Sequence, residues 1–499
     1  MLDLRPVSYV IGLLVAVLGA TMFAPMALDL ARGDPEWRTF LQAGVVTLVI
    51  GVFVALTSAN GVSKGINIRL AFLLTTGVWV ALPAFGAIPF IIGETNLTVT
   101  DAVFEAMSGM TTTGATVIEG LETHSMGILL WRGILQWLGG LGIVIVAMIF
   151  LPVMKVGGMQ FFRSEGFDTS GKALPRALDI AKGLLVIYIV LTVSSTGAYY
   201  LAGMDLFNSV VHSFTTVATG GFSTADASFG AFPGAPQYVA ALFMFLASVP
   251  FIRLVQAMRG DIKPFFRDSQ LRTYLLWTAY AVALIVVFRT SLLGEFSEPM
   301  FRETLFNTVS VFSGTGYVDG DMLSWGSFPF AILFCVGAIG GCSGSTGCSI
   351  KIFRYQILLR AMATQIRKMY SPSRIVPVRF EGRTVSKSVM DSIILLFSCF
   401  ILSFGVLIVL LSMTGITFLA AVTAAWTSIF NIGPIFGAEV PLSGAIHGFP
   451  DSAKWLMTFG MLIGRLLEAL THATQTWRTN LAYAEGSRGR GHLRDSRCP

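Results

Sequence analysis

Apolar segments of about 20 residues follow one another from near the start of this 499-residue chain to near its end. A helix of about 20 apolar residues is what the ~30 Å hydrocarbon core of a bilayer requires. Charged residues make up only 12% of the sequence, whereas about 25% is usual in soluble domains. The sequence therefore predicts an all-α polytopic membrane protein.

Ten membrane-crossing segments are predicted from these runs. They cover residues 7–30, 38–58, 70–93, 126–153, 179–203, 236–258, 273–292, 327–365 (interrupted), 388–413 and 452–475. The first run is too long for the apolar core of a secretory signal, and Met22, Pro25 and Met26 do not form a small-residue cleavage site. We therefore expect this run to remain in the protein as its first span.

Basic residues gather in alternate connections, whereas the other connections are acidic. The basic connections contain Lys64 and Arg69, then Lys155, Arg163, Lys172, Arg176 and Lys182, then Arg253, Arg259, Lys263, Arg267 and Arg272, and then the cluster from Lys351 to Lys387. By the positive-inside rule, this pattern predicts that both termini are cytoplasmic. An alternative role for the stretch 366–387 is the binding of anionic lipid or an acidic partner.

The five cysteines show no CxxC spacing, so neither a disulfide framework nor a zinc site is predicted. The basic residues are concentrated in particular loops, which indicates topology rather than a nucleic-acid partner. No glycine-rich phosphate-binding motif follows a predicted strand, so the chain is not expected to bind a nucleotide itself.

Short Thr- and Gly-rich strings recur in the last four acidic connections. Strings one to four are TTTGAT (Thr111 to Thr116), VATGGFST (Val217 to Thr224), SGTGYVDG (Ser313 to Gly320) and FNIGPIFG (Phe430 to Gly437). A shared glycine aligns Gly114, Gly220, Gly316 and Gly433, which are 106, 96 and 117 residues apart. Each string follows an apolar stretch too short to span and precedes the next span. This spacing predicts a fourfold internal repeat.

The repeats divide the chain into six segments. Residues 1–65 form an added pair of spans, 66–160, 161–262, 263–370 and 371–480 form repeats one to four, and 481–499 form a basic cytoplasmic tail. The second span of repeat three is the interrupted one.

The strings have the properties of a cation pathway. Irregular backbone at membrane depth is stable only where protein covers it or where it lines a wet cavity. Four such loops around one axis can offer carbonyls in place of a cation's hydration shell, and the half-helices direct their negative ends to the centre. Asp101, Asp205 and Glu303 lie near the predicted amino ends of these half-helices, where helix capping is favoured over attraction of ions.

With these strings the sequence resembles the Trk/Ktr/HKT superfamily of potassium transporters, from about Ile66 to Trp477, and the added first pair of spans favours the Trk type. Members of that superfamily have four span–pore-loop–span units around one potassium pathway, so the resemblance implies potassium uptake. The filter oxygens that it implies belong to Thr112, Thr113, Gly114, Ala218, Thr219, Gly220, Gly314, Thr315, Gly316, Asn431, Ile432 and Gly433.

A second resemblance lies in GAIGGCSGSTGCSIK, from Gly337 to Lys351, which interrupts the eighth span. In the family this segment corresponds to an intramembrane loop that gates the pore. The gate residues that it implies are Gly340, Gly341, Ser343, Gly344, Ser345, Thr346, Gly347 and Arg465. Because a charge inside a span is costly, Arg465 is expected either in the pathway or paired with Glu468.

The resemblance also implies partners and a location. These are a homodimer in the bacterial inner membrane and a cytosolic nucleotide-binding regulatory subunit on the basic face. Potassium is the transported ion, and no bound cofactor is expected.

Three other functions are alternatives to potassium uptake. Sodium conduction is disfavoured by glycine at all four aligned positions, and ion-coupled transport by the lack of a chain of acidic residues within the spans. An intramembrane serine protease would use Ser343 and His472. The fourfold repeat argues against it, so the chain is not expected to be an enzyme.

Overall fold

The structure, a computed structural model, describes residues 3–60, 68–153, 173–373, 376–441 and 443–467. Helices dominate these ranges, because a helix satisfies its own backbone hydrogen bonds in hydrocarbon. In this part of the chain one sheet occurs, the antiparallel pair β1 (Arg379–Phe380) and β2 (Arg383–Thr384).

The helices follow the predicted spans closely. Those of the first half are α1 (Arg5–Thr21), α2 (Phe23–Arg32), α3 (Trp37–Ser58), α4 (Ile68–Gly86), α5 (Ile88–Ile92), α6 (Val99–Met110), α7 (Met126–Val153), α8 (Ala173–Leu201) and α9 (Leu206–Val217). Those of the second half are α10 (Ala235–Ala247), α11 (Phe251–Met258), α12 (Lys263–Arg267), α13 (Ser269–Leu293), α14 (Glu298–Ser313), α15 (Ser327–Ile339), α16 (Ile352–Tyr370), α17 (Lys387–Ser412), α18 (Phe418–Phe430) and α19 (residues 451–467). Every predicted span contains one of these helices or a consecutive pair, which confirms the all-helical membrane fold.

Some spans are broken. By length and composition, six spans within the described ranges are long and apolar enough to cross a membrane, and α10 with α11 adds a seventh if the two count as one. These two helices are bent by 98° at Ser248–Pro250, where proline cannot continue the hydrogen-bond ladder. The predicted interruption of the eighth span is present between α15 and α16. The end of the tenth predicted span, 468–475, and the basic tail lie outside the described residues.

Four short helices, α6, α9, α14 and α18, end where strings one to four begin, and we call them the pore helices. At 12 to 16 residues they are about 18 to 24 Å long, too short to cross the bilayer. The side chains of Thr98, Asp205 and Ser297 cap the first three by accepting a backbone N–H. The predicted half-helices are therefore present in all four repeats.

The predicted capping roles hold for one of the three acids. Asp205 is the N-cap of α9. Asp101 lies in the first turn of α6, where Thr98 is the cap, and it forms a buried ion pair with Lys454 at 2.6 Å. The prediction is wrong for Glu303, because the Ser297 cap and a proline in the first turn start α14 five residues earlier, and Glu303 pairs with Arg289 at 2.7 Å.

The added amino-terminal pair packs through small residues. A Cβ atom placed on Gly51 of α3 would lie 2.4 Å from the backbone nitrogen of Ala16 in α1, so the two helices touch along their backbones. Asp29 of α2 is buried and accepts the N–H of Gly127, at the start of α7, at 2.7 Å. This contact fixes the added pair to repeat one.

Candidate functional site

The four strings share one backbone conformation directly after their pore helices. Thr112, Thr219, Gly314 and Asn431 all adopt the left-handed region, with φ of 50°, 50°, 84° and 53°. A non-glycine residue seldom adopts this region unless its surroundings impose it. Three such residues at equivalent places indicate that the same geometry is imposed on every string.

The backbone shifts string two by one residue relative to the sequence alignment. Two positions after the left-handed residue, φ is again positive at Gly114 (86°), Gly221 (82°) and Gly316 (81°), and Gly433 occupies this position in string four. The alignment on Gly220 is therefore wrong by one residue. Gly220 and Gly221 follow one another, so either of them can be aligned with the glycines of the other strings. Neither has a side chain that would decide between the two alignments.

Backbone hydrogen bonds support this register. Thr113, Gly220 and Ile432 each donate their N–H to the carbonyl five residues back, at 2.9, 2.8 and 3.1 Å. Gly220 thus corresponds to Thr113, and Ala218 corresponds to Thr111 at the end of the preceding helix. Of the predicted filter residues, Ala218 lies outside the aligned triplets, and Gly221, which the sequence analysis did not select, lies inside.

The strings close into a ring, which we call the four-string ring. A Cβ atom added at Gly114, Gly221 or Gly316 would lie 2.2, 2.0 or 2.4 Å from the backbone of string two, three or four, respectively. From Gly433 it would lie 3.3 Å from the carbonyl oxygen of string one. Real Cβ atoms do not approach other heavy atoms within about 3.0 Å, so the first three positions accept only glycine.

Polar side chains of the ring hydrogen-bond to one another behind the backbone. Thr113 shares a hydrogen bond of 2.8 Å with Thr111 and accepts one of 2.9 Å from the Asn431 amide. In string three, Thr315 and Ser313 form the corresponding hydroxyl pair at 2.7 Å. These hydroxyl contacts hold the strings in place, and the main-chain carbonyls remain as candidate cation ligands.

A buried ion pair braces strings one and two. Arg132 of α7 donates from Nε to Glu105 Oε1 at 2.8 Å and from Nη1 to the Ser223 carbonyl at 2.7 Å. Glu105 also accepts the N–H of Val117 at 2.9 Å, and both charged side chains are almost fully buried. The sequence analysis selected neither Glu105 nor Arg132 as a functional residue. A charged residue within an apolar span was the available signal.

The segment Gly340–Lys351, the small-residue segment, lies against the carboxyl ends of three pore helices. Thr346 donates to the Val217 carbonyl at 3.0 Å, and Ser349 donates to the Phe430 carbonyl at 3.3 Å. A Cβ on Gly347 would lie 2.9 Å from the Ser313 carbonyl oxygen. The segment therefore occupies the space directly behind the ring.

Arg465 of α19 reaches the carboxyl end of the remaining pore helix, α6. Its guanidinium donates from Nε to the Thr111 carbonyl at 2.8 Å and lies 3.1 Å from Cys348 Sγ. It also bonds Thr112 Oγ1 and is 4% exposed, so the charge is buried beside the ring. Arg465 thus lies beside the ring, and Glu468, its other predicted partner, lies outside the described residues.

The small-residue segment is held at its outer turns by the kink between α10 and α11. Gly344 accepts the N–H of Phe251 at 2.9 Å, and Cys342 donates its N–H to the Ser248 carbonyl at 2.9 Å. Ser343 donates its N–H to Gln270 Oε1 at 2.9 Å. His472, the partner that a protease would need for Ser343, lies outside the described residues.

The remaining predicted residues of the segment lie in its turns. Gly340 ends α15 with φ of 77°, and the Ser345 hydroxyl donates to the Cys342 carbonyl at 2.7 Å. A Cβ on Gly341 would lie 3.2 Å from Ser248 Cβ. The segment is thus a compact turn structure packed between two helices and the ring.

Comparison with known proteins identifies the family to which this chain belongs. The family model named TrkH, described as a cation transport protein, matches residues 38–476. The chain belongs to the TrkH family of cation transport proteins. This confirms the resemblance that the strings and the added pair of spans indicated.

Individual TrkH-family relatives cover almost the whole chain. A Trk system potassium uptake protein, TrkI of Halomonas elongata, is 36% identical over 472 residues, 93% of this chain and 94% of that protein. A second, TrkH of Escherichia coli K12, is 33% identical over 470 residues, 93% and 96% of the two chains. The crystal structure of the potassium transporter TrkH from Vibrio parahaemolyticus has a TM-score of 0.86 and 31% identity, and it covers 94% of this chain and 98% of that chain.

Proposed function

We propose that this TrkH-family chain takes up potassium ions across the membrane along the axis of the four-string ring. The closed ring is the observation that carries the proposal, because four backbone loops around one axis can replace a cation's hydration shell with carbonyl oxygens. The pore helices end at the ring, so their negative ends stabilise a partly dehydrated cation there. The relatives named as potassium uptake proteins agree with this role.

The selectivity filter that we propose follows the backbone register. It consists of the left-handed residue and the two residues after it in each string, and therefore contains Gly221 in place of the predicted Ala218. Ala218 is left at the entrance to the ring from its pore helix.

The small-residue segment and Arg465 are proposed as the gate. Together they contact the carboxyl ends of all four pore helices, so a cation that leaves the ring meets a buried guanidinium and packed backbone. Passage then requires the segment to move away from the kink at Ser248–Pro250. Such a movement breaks the hydrogen bonds of Thr346 and Ser349 to the pore helices and that between Gly344 and Phe251.

The proposed cytoplasmic face is a small basic platform. The β1–β2 hairpin packs against α16 and α17 through Phe380, Ile357 and Ile393, and Arg360 donates to the Arg379 carbonyl at 2.9 Å. This face is where a cytosolic nucleotide-binding subunit would dock in the homodimer that the resemblance implies. By the positive-inside rule, the same basic charge supports the proposal that the protein lies in the inner membrane with both termini in the cytoplasm.

Cation flux into liposomes tests the proposal. The purified protein is reconstituted, a potassium gradient drives uptake, and the experiment is repeated with rubidium, sodium and lithium. Selective entry of potassium and rubidium is expected. Equal entry of sodium would overturn the potassium filter, and a proton flux that accompanies every potassium ion would replace a passive pore with coupled transport.

A further inference from the structure

String two differs from the other strings in the side chain behind its filter glycine. Thr113, Thr315 and Ile432 precede the filter glycine in strings one, three and four, and the aligned residue in string two is Gly220. The two threonines hydrogen-bond to hydroxyls of their own strings. String two has no such side chain, so another group must support its backbone.

Gln136 of α7 fills the space that this missing side chain leaves. A Cβ atom added at Gly220 would lie 2.3 Å from both Cδ and Oε1 of Gln136. The Gln136 side chain is fully buried and makes two hydrogen bonds to string two. Its Nε2 donates to the Gly220 carbonyl at 2.6 Å, and its Oε1 accepts the N–H of Phe222 at 3.0 Å.

The two bonds fix the direction of the Gly220 carbonyl. An amide offers a donor and an acceptor at a set separation, and here each is used on a different peptide group of the same strand. Arg132 lies one turn earlier on α7 and donates to the Ser223 carbonyl. Arg132 and Gln136 lie on the same face of α7, so this face holds string two at both Gly220 and Ser223. Without these hydrogen bonds, the peptide planes at Gly220 and Gly221 of string two would be free to rotate, because glycine has no side chain to restrict them.

We propose that Gln136 is a selectivity-determining positioning residue, whose amide replaces the missing side chain of string two and sets the orientation of the Gly220 carbonyl in the ring. The inference rests on the proposed function, because it assigns a cation-ligand role to the ring. Its Nε2–H also engages one lone pair of that carbonyl, so string two presents a weaker ligand than the other strings. The four strings therefore share one backbone conformation, but string two offers a weaker cation ligand than the other three.

The first experiment compares Gln136→Leu with a matched control, Gln237→Leu. Gln237 is also a buried glutamine and accepts a hydrogen bond from Arg302 at 2.7 Å. It also bonds Gly234 and Asp319, and none of these three residues belongs to the proposed filter. The potassium-to-sodium permeability ratio in liposomes is expected to fall about fivefold in Gln136→Leu, the size of one buried hydrogen bond, and to stay at the wild-type value in Gln237→Leu.

A compensating pair makes the test independent of general destabilisation. Gly220 has no left-handed φ, so the obstacle to a side chain at this position is the space taken by Gln136. Gly220→Thr alone is expected to lower the permeability ratio through this clash. Gln136→Ala with Gly220→Thr gives string two the threonine of strings one and three and is expected to be more selective than either single variant.

The outcomes separate this inference from the proposed function. Wild-type protein without potassium preference would overturn the function and this inference with it. Selective wild-type protein with an unchanged ratio in Gln136→Leu, or a double variant no more selective than its worse parent, would overturn the role of Gln136 alone.

Discussion

The backbone of the four-string ring is nearly the same in each repeat, whereas the side chains that support it differ from one repeat to the next. Strings one and two are braced by Arg132, Glu105 and Gln136 of repeat one. The segment behind the ring comes from repeat three, and Arg465 comes from repeat four. The strings therefore share one backbone conformation, and each repeat supports it with different side chains.

The largest effect is expected from breaking the support on one side. Arg132→Met leaves the Glu105 carboxylate buried without its partner, and removal of one partner of a buried pair costs about 3–5 kcal/mol. The thermal unfolding midpoint in detergent should fall strongly. Arg132→Met with Glu105→Leu should recover part of the loss, because no charge is left buried.

The Arg302–Glu298 pair provides the control for that measurement. Glu298 is half exposed, whereas Arg302 is 18% exposed and also donates to the buried Gln237, so Arg302→Met should lower the midpoint less than Arg132→Met does. An equal fall of the unfolding midpoint in both arginine variants would mean that the Arg132–Glu105 pair stabilises the protein no more than the Arg302–Glu298 pair does.

A smaller effect is expected from breaking the ring itself. Gly114→Ser places a side chain at φ of 86° and against string two, and such strain costs about 1–3 kcal/mol. We expect the potassium-to-sodium permeability ratio to fall at least tenfold, since 1.4 kcal/mol is about one factor of ten. Gly433→Ser should cost less, because Gly433 has no left-handed φ and its nearest contact would be 3.1 Å. Equal losses would show that all four positions are equally tight.

A third prediction concerns the charge behind the ring. Arg465→Gln removes a buried positive charge beside the cation path, so rubidium influx into liposomes should rise about threefold. Arg360→Gln, on the exposed hairpin side of α16, is the control and should leave the influx unchanged. A lower influx in the Arg465 variant would assign that residue to holding string one rather than to blocking cations.

The smallest effect is expected at the outer end of α18. Burial acts to raise the pKa of Glu439, but hydrogen bonds from the Thr417 hydroxyl and N–H outweigh it and hold the pKa below its usual value of 4.5. This stabilisation is therefore present above pH 4.5 and is lost as the pH falls through the lowered pKa. Glu439→Gln should lower the unfolding midpoint by about 1 °C at pH 7. Below the lowered pKa the difference should vanish.

The sequence predicted those parts of the molecule that have a local signal. Hydropathy located the spans, and a shared glycine between them located all four strings. The start of α14 was misplaced because the acid Glu303 was taken as the cap, although Ser297 with Pro299 in the first turn is the stronger local start signal.

The supports escaped prediction for a different reason. Gln136 belongs to repeat one but holds a strand of repeat two, so its role depends on which helix neighbours which string. Nothing within one repeat encodes that adjacency. The shift between Gly220 and Gly221 has a related cause, because the side chain that identifies the position comes from elsewhere in the chain.

All four strings of the ring belong to one polypeptide, and this has a consequence for how such a pathway changes. In a pore built from four identical subunits, one substitution changes all four filter strings at once. Here each string is encoded separately, so one substitution changes the cation ligands of one string and leaves the other three strings as they are. Evolution, or an engineer, can thus explore intermediate selectivities that a symmetric assembly skips over.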